Sequence, residues 1–383
     1  MRKKYDILVY AMSSYFEWRR GVVNRNRQVM EHLLGDPRIG RVLMVDFLPF
    51  NRERKAREYF YSRIFFKDFN TIAKGWDYKL NREKENFFVL STISYKRVEL
   101  SKKKLDFNRP IVWSYNPLDT RFLDEESRVT VFDAVDHWAY HPAYRNQANR
   151  LLSNYKKIQE KADVIFTVSE VLKNELFQGR EDARWVPNGV DWEHYQKREK
   201  ARPDDLKGIP QPIAGYVGVI QERFDIKLVQ KLANLLPRYS FVFIGPIWKK
   251  TRSEIRQKLS GLANVYFLGA KPYQSVPDYL SCFKVGLIPH KNNRLTRSMD
   301  PMKIYEYLAC GLPVVSTPVA CVGELEAWAC FEKDSEKIAE DLKNAVEKDN
   351  KEKRTQRRDF IKNHSWEKRV RLMMRQILKN MAM

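Results

Sequence analysis

Residues 298–317 have the residue types and spacing of a nucleotide site. Asp300-Pro301 predicts a helix start, because aspartate caps helix N-termini and proline fits the first helical position. Lys303 then lies in the first turn, where its charge and the positive end of the helix can hold a phosphate. Glu306 follows one turn later on the same face and can accept both hydroxyls of a ribose. The same spacing also fits an ordinary capped helix with an exposed Lys303–Glu306 ion pair.

A second candidate for phosphate binding lies in the segment Gly215–Lys227, after a predicted strand. A glycine such as Gly218 lets the backbone approach a ligand closely. Arg223 and Lys227 can neutralise the charge of a diphosphate. The alternative for Arg223 is a surface ion pair with a neighbouring carboxylate, either Glu222 or Asp225.

Two further candidates also follow strands. His290 follows the predicted strand 285–289 and can approach a nucleotide, or it is a loop histidine without a ligand. Asp136 and His137 follow the strand Val129–Phe132, where catalytic groups of parallel sheets lie. Either one can orient an acceptor hydroxyl or remove its proton. In the alternative interpretation, Asp133 caps a turn and Trp138 packs in the core.

The loop after the first predicted strand contains Trp18, Arg19 and, at the start of the next helix, Arg25. Their positive charges suit a phosphorylated acceptor. The loop lacks the G-x-G-x-x-G spacing of a dinucleotide site, which argues against a nicotinamide enzyme. No glycine-rich lysine loop for ATP occurs in the chain either.

The elements that must position these residues alternate along the chain. Short β-branched and aromatic runs alternate with longer segments of helical period, which predicts two domains with parallel sheets. The proline-rich, charged segment Lys197–Pro212 predicts a linker. We therefore expect an N-terminal domain of residues 1–200, a nucleotide-binding domain of residues 201–355, and a C-terminal helix in residues 356–383 that crosses back to the first domain.

Composition limits the class of protein. The chain has 383 residues, 43% of them hydrophobic, so it can bury a large core. No apolar run is long enough to span a membrane, and no signal peptide is evident, so we expect a cytoplasmic protein. The net charge of +22 is concentrated in the first hundred residues, in residues 201–300 and near the C-terminus. Such a charge attracts phosphate in nucleic acid, anionic lipid or a small molecule.

One segment combines basic and aromatic residues over Arg52–Lys79. It predicts a helix over Arg52–Phe66 that lies on a membrane surface, or one whose aromatic residues pack in the core. The basic C-terminal helix has the same two interpretations.

Several motifs together resemble the retaining, GT-B-fold glycosyltransferases of family four, and within them the bacterial branch that builds capsular, teichuronic and other surface polysaccharides. The motifs are Ser298-Met-Asp-Pro-Met-Lys-Ile-Tyr-Glu306, Gly215-Tyr-Val-Gly218, Phe243-Ile-Gly-Pro246, Gly286-Leu-Ile-Pro-His290, Val186-Pro-Asn-Gly-Val-Asp191 and Val131-Phe-Asp-Ala-Val-Asp-His-Trp138. The resemblance implies two Rossmann-like domains that face each other across a cleft.

The resemblance also implies roles for residues. Glu306 matches the family's second glutamate, which binds the nucleotide ribose, and the basic residues after the strand hold the donor diphosphate. Ser298 stands where the family has its first glutamate, which contacts the donor sugar, so Asp300 or Lys303 is expected to compensate. The fold has no inherent metal site, and in retaining members the departing phosphate can take the acceptor's proton.

The resulting hypothesis is a glycosyltransferase that uses a nucleotide-diphosphate sugar without a metal or other cofactor. The expected acceptor is a polysaccharide or a lipid-linked sugar, reached from the cytoplasmic face of an anionic membrane. Two alternatives remain: a GT-B-fold sugar-nucleotide epimerase, and a basic nucleic-acid-binding protein. No RNA- or DNA-binding module is evident in the sequence, so nucleic acid is not an expected partner.

Overall fold

The structure is a computed structural model that describes residues 4–47, 70–196, 202–320 and 323–382. These residues form two α/β domains with Rossmann-like parallel sheets, as the alternation of strands and helices predicts. The helix expected over Arg52–Phe66 lies outside the described residues.

The sheet of the N-terminal domain has nine strands among the described residues, in the order β3-β4-β5-β2-β1-β6-β7-β8-β9. Its strands are β1 (Tyr5–Tyr10), β2 (Ile39–Phe47), β3 (Thr71–Lys74), β4 (Tyr78–Lys84), β5 (Phe87–Thr92), β6 (Ile111–Ser114), β7 (Val129–Ala134), β8 (Val164–Thr167) and β9 (Arg184–Trp185). Its helices are α1 (Tyr15–Arg19), α2 (Arg25–Gly35), α3 (Lys96–Lys104), α4 (Ala148–Lys161), α5 (Glu170–Leu176) and α6 (Trp192–Gln196).

The strands β3 and β4 form an antiparallel hairpin at one edge of this otherwise parallel sheet. The sequence analysis did not predict these strands, because β4 has the mostly polar sequence YKLNREK. The edge strand is β3, and β4 pairs with both β3 and β5, so its polar sequence lacks only the apolar run by which the other strands are predicted.

Within residues 202–320 and 323–382, the sheet of the C-terminal domain has six parallel strands in the order β12-β11-β10-β13-β14-β15. They are β10 (Ile213–Val217), β11 (Ser240–Ile244), β12 (Val265–Gly269), β13 (Val285–Ile288), β14 (Val314–Ser316) and β15 (Ala329–Phe331). The helices that follow are α7 (Ile226–Leu235), α8 (Lys249–Leu259), α9 (Val276–Cys282), α10 (Arg294–Arg297), α11 (Met302–Ala309), α12 (Ser335–Glu347), α13 (Lys351–Ile361) and α14 (Trp366–Ala382).

Each sheet has a hydrophobic cluster on both of its faces, because its central strands are buried on both sides. The last helix, α14, packs on the N-terminal sheet. Trp366, Val370, Met373 and Ile377 join the cluster that contains Trp113 of β6. Leu372 is 47% exposed, because it lies two residues after Val370 and therefore about 200° around the helix, on the opposite face.

The helix α11 begins differently from the prediction. Pro301, not Asp300, is the N-cap residue, and no side chain caps this end. The carboxylate of Asp300 accepts other hydrogen bonds, from the backbone N–H of Asn188 (2.6 Å) and the hydroxyl of Tyr305 (3.0 Å). An aspartate that has these buried partners has no need of the helix N–H groups. Within the described ranges, no helix is long and apolar enough to cross a membrane.

Candidate active site

The C-terminal half of the cleft is built around Lys303, in the first turn of α11. Its ammonium lies 5.1 Å from the centre of the Tyr216 ring, and Tyr216 comes from β10. Gly218, which follows this strand, has a φ of +149°. A Cβ atom there would lie 2.3 Å from Lys303 Cε and 2.7 Å from Nζ. Gly218 therefore makes the space in which the lysine end lies.

Glu306 lies beside Lys303 on the same helix. Both side chains are half-buried, so they do not form the exposed surface pair that their spacing also allowed. Burial raises the pKa of the Glu306 carboxyl, while the charge of Lys303 and the hydroxyl of Tyr195 lower it. The pair offers an anion site and a hydrogen-bond acceptor within one helical turn.

Arg223 lies between β10 and α7 and is directed into the cleft. With the Gln221 amide oxygen facing the guanidinium, Arg223 Nε and Nη2 donate to it at 3.0 and 3.1 Å. The two carboxylates considered as partners are engaged elsewhere. Glu222 pairs with Lys250 at 3.4 Å, and Asp225 accepts from the backbone N–H of Leu228.

His290 lies between the two cationic groups. Its ring is 1% exposed, and neither ring nitrogen has a hydrogen-bond partner among the described residues. Burial and the charges of Arg223 and Lys303 lower the pKa of His290 well below its ordinary value, so the ring is neutral. Two buried nitrogens without partners beside two cations leave hydrogen-bonding capacity for a ligand.

Asp136 faces these groups from the N-terminal domain. Burial raises the pKa of its carboxyl to about 6, and the charge of Arg223 from the opposite domain lowers it. His137 is more deeply buried and stacks on Tyr140 with ring centres 3.8 Å apart. Burial lowers the pKa of His137 to about 4, so it is neutral at pH 7. Asp136 is thus the group of this pair that interacts with the C-terminal domain's site.

Ser298 and Asp300 join the two domains and do not face the group around Lys303. Ser298 is fully buried, and its hydroxyl donates to the carbonyl of Leu295 at 2.8 Å. Its own carbonyl accepts from the hydroxyl of Ser169 in the N-terminal domain at 2.8 Å. Burial raises the pKa of Asp300 to about 6, and its carboxylate holds the backbone of Asn188.

The predicted acceptor-side residues are also placed differently from expectation. Trp18 is buried in the core, and its indole N–H donates to Ser13. Arg25 is 4% exposed and pairs with the fully buried Asp133 at 2.9 Å, so Asp133 does not cap a turn. Arg19 ends α1 at the surface. Lys227 is exposed on α7, away from the group around Lys303.

Sequence reasoning assigned no role to the junction around Asn188. Its side chain donates to the carbonyl of Asp300 (2.6 Å) and accepts from Arg25 (3.3 Å). The signal that points to it is Gly189, because a Cβ there would lie 2.9 Å from the carbonyl oxygen of His364. A side chain at position 189 would clash with the backbone that leads into α14, so this close approach requires a glycine.

The comparisons with known proteins agree with this architecture. Residues 211–348 match the family described as glycosyl transferases group 1. A protein named as a teichuronic acid biosynthesis glycosyltransferase, TuaH of Bacillus subtilis strain 168, is 29% identical over 218 residues. That match covers 53% of this chain and 53% of TuaH, so the alignment spans about half the length of this curated relative.

Solved structures resemble nearly the whole chain. A sucrose-phosphate synthase from Thermosynechococcus elongatus is 15% identical with a TM-score of 0.68, and 98% of each chain is covered. HepE from Anabaena, solved with UDP-glucose, is 12% identical with a TM-score of 0.65, covering 98% of this chain and 100% of HepE. The chain therefore has the GT-B fold, and its residues 211–348 match the glycosyl transferases group 1 family.

Proposed function

We propose that this protein is a glycosyltransferase that moves a sugar from a nucleotide-diphosphate sugar to an acceptor. The observation that carries the proposal is the convergence of Arg223 and Lys303 on the buried, neutral His290, with Glu306 beside Lys303. This group lies at the carboxyl edge of the C-terminal sheet, where ligands of open α/β sheets bind. The UDP-glucose in HepE and the name of TuaH support a nucleotide-sugar donor.

In the proposed mechanism, the cations stabilise the departing diphosphate. Arg223 and Lys303 bind its oxygens, and their charges count most as the bond between the anomeric carbon and the phosphate oxygen breaks. The carboxyl oxygens of Glu306 accept hydrogen bonds from the ribose hydroxyls. These two protein cations supply the positive charge in the proposal, which assigns no role to a metal or other cofactor.

The acceptor oxygen forms the new bond on the same face of the sugar, so the configuration is retained. Its proton passes to the departing phosphate oxygen, which balances the reaction without a protein base. Asp136 orients the acceptor hydroxyl from the N-terminal domain, since its carboxylate faces Arg223 across the cleft. His137 holds this loop by stacking on Tyr140.

The proposed acceptor is a polysaccharide or a lipid-linked sugar at the cytoplasmic face of an anionic membrane. The net charge of +22 supports attraction to such a surface, and the name of TuaH supports a cell-envelope polymer. If the protein does not bind anionic vesicles at low salt, the membrane part of the proposal is wrong.

Transfer can be tested with radiolabelled nucleotide sugars and bacterial membrane extracts. We expect label to appear in lipid or polymer together with free nucleoside diphosphate. An isomerised donor without transfer would instead establish the epimerase. Glu306→Gln should weaken donor binding about tenfold, because an amide N–H₂ replaces one of the two acceptor oxygens. The matched control Glu340→Gln changes an exposed residue of α12 and should leave binding unchanged. Normal donor binding by Glu306→Gln would refute the site.

A further inference from the structure

A basic pocket lies in the N-terminal domain outside the group around Lys303. Its volume is about 410 Å³. One wall is the loop that follows β6, with Arg121, and the other is one face of α4, with Arg150 and Lys157. Both walls begin near the carboxyl edge of the sheet, on the same side as Asp136. The pocket is therefore placed to hold part of an acceptor.

The pocket is held open by hydrogen bonds between its walls. Asn154, which is 7% exposed, donates to the carbonyl of Pro117 at 2.7 Å. Arg150 donates to the carbonyl of Leu118 at 2.9 Å. Because the loop is fixed to the helix in this way, the basic side chains surround a preformed concave surface.

The charge of the pocket is positive. Arg121 forms an ion pair with Asp119, so one of the three cations is neutralised. Arg150 uses one of its N–H groups on a neutral carbonyl and keeps its charge. Lys157 has no hydrogen bond or ion pair in the described part of the chain. Two positive charges beside polar side chains therefore remain for an anion.

A second pocket lies between the residues that precede α4 and the C-terminal domain. Its volume is about 580 Å³, and both domains line it. Arg145 comes from the N-terminal domain, and Lys250 and Lys291 come from the C-terminal domain, where Lys250 pairs with Glu222. Glu222 precedes Arg223 directly, so this pocket adjoins the proposed transfer site.

One continuous segment, residues 142–157, lines both pockets. In α4, Arg150 and Lys157 are separated by about 10 Å along the axis at 1.5 Å per residue. Arg145, Arg150 and Lys157 thus form a series of positive charges that leads away from the cleft. A ligand that uses all of them is extended and carries repeated negative charges.

We propose that the acceptor is an anionic glycan chain whose charged groups occupy these two pockets, with its growing end in the cleft. This inference rests on the proposed function. The lining of the basic pocket is polar except for Leu118, so it suits a hydrophilic chain better than a lipid tail. Neither pocket is lined by an aromatic side chain on which nucleobases would stack.

Fluorescent oligosaccharides provide the test, by anisotropy at about 50 mM salt, where surface charges are weakly screened. The probes are a hexamer of galacturonic acid, a mannose hexamer phosphorylated at its 6-hydroxyls and neutral maltohexaose. We expect an anionic hexamer to bind and maltohexaose not to bind. Comparison of the two anionic probes identifies the carboxylate or the phosphate as the preferred group.

Two neighbouring exposed lysines of α4 give a matched pair of variants. Lys157→Glu reverses a charge in the pocket and should weaken binding of the anionic hexamer about tenfold. Lys156→Glu reverses a charge on the same helix outside the pocket and should change binding less than twofold. Equal losses in both variants would overturn the proposal, because they would show a general effect of surface charge. The proposal would also be overturned if neither anionic hexamer bound to the wild type while Lys157→Glu lost binding to anionic vesicles or to DNA.

The proposed function is tested separately in the same samples. Thermal unfolding with added nucleoside diphosphates should show the same stabilisation in the wild type and in Lys157→Glu, because Lys157 lies outside the donor site. If no nucleoside diphosphate stabilises the wild type, the donor site is wrong. Failure of the oligosaccharide test alone refutes only the anionic acceptor.

Discussion

Replacing Gly218 with alanine tests how the cleft holds Lys303. The φ of +149° at Gly218 is strained for an alanine, at a cost of about 1–3 kcal/mol. The added Cβ would lie 2.3 Å from Lys303 Cε. The lysine end is flexible and can move, so we expect displacement of Lys303 and not loss of the fold.

In the wild type, the Lys303 ammonium lies over the Tyr216 ring, where it can bind a phosphate. The displaced ammonium would no longer lie there. A hydrogen bond between charged groups contributes about 1.5–3 kcal/mol, so binding of nucleoside diphosphate should weaken about 10- to 150-fold. Isothermal titration calorimetry measures this with the nucleoside diphosphate that the wild type binds most tightly. Urea unfolding of the same samples measures how much the strained backbone lowers the free energy of unfolding, separately from the loss of affinity.

Two comparisons make the result specific. Gly261→Ala is the control, because no atom lies within 4 Å of its added Cβ, and it should change neither affinity nor stability. In a Lys303→Ala background, Gly218→Ala should cause little further loss of affinity, since the displaced group is already absent. Wild-type affinity in Gly218→Ala, or a full additional loss in the double variant, would refute the reasoning.

Two other predictions concern buried charges. Arg25→Met leaves Asp133 unpaired in the core and should lower the free energy of unfolding in urea by about 3–5 kcal/mol. Adding Asp133→Asn to the Arg25→Met variant should restore most of the lost free energy of unfolding. If it does not, the broken ion pair is not the cause of the loss. The folded-state pKa of Asp136, about 6, exceeds its ordinary 3.8, so its ionisation removes stability as the pH rises from 4 through 6. Asp136→Asn should therefore stabilise the protein more at pH 7 than at pH 4, and equal shifts would contradict this.

The sheets were predictable because their strands are short apolar runs separated by helical segments. Buried strands require apolar residues, and runs of apolar residues can be read directly from the sequence. The hairpin β3–β4 was not predictable, since β4 pairs on both sides and buries Lys79 and Asn81 although its sequence has no apolar run.

The site was predictable in part. Spacing placed Lys303 and Glu306 on one face of a helix, and Arg223 and His290 after strands, where the structure has them. The role of Asp300 was not predictable, because its partner Asn188 is distant in the sequence and belongs to the other domain. Arg25 was assigned to the acceptor for its charge, but a charge does not show whether its partner is a ligand or the buried Asp133.

The junction between the domains and the donor site are coupled through one short segment. Ser298 and Asp300 precede α11 directly, and both are bonded to the N-terminal domain. These bonds are buried, so a domain movement that broke them would leave polar groups without partners, at about 1–3 kcal/mol for each group. The contacts of Arg294 with Tyr140 and Glu175 are more exposed and cost less to break. We therefore expect any opening of the cleft to be a rotation about the Asn188–Asp300 junction, which would separate Asp136 from Arg223 and leave Lys303 and Glu306 together on α11.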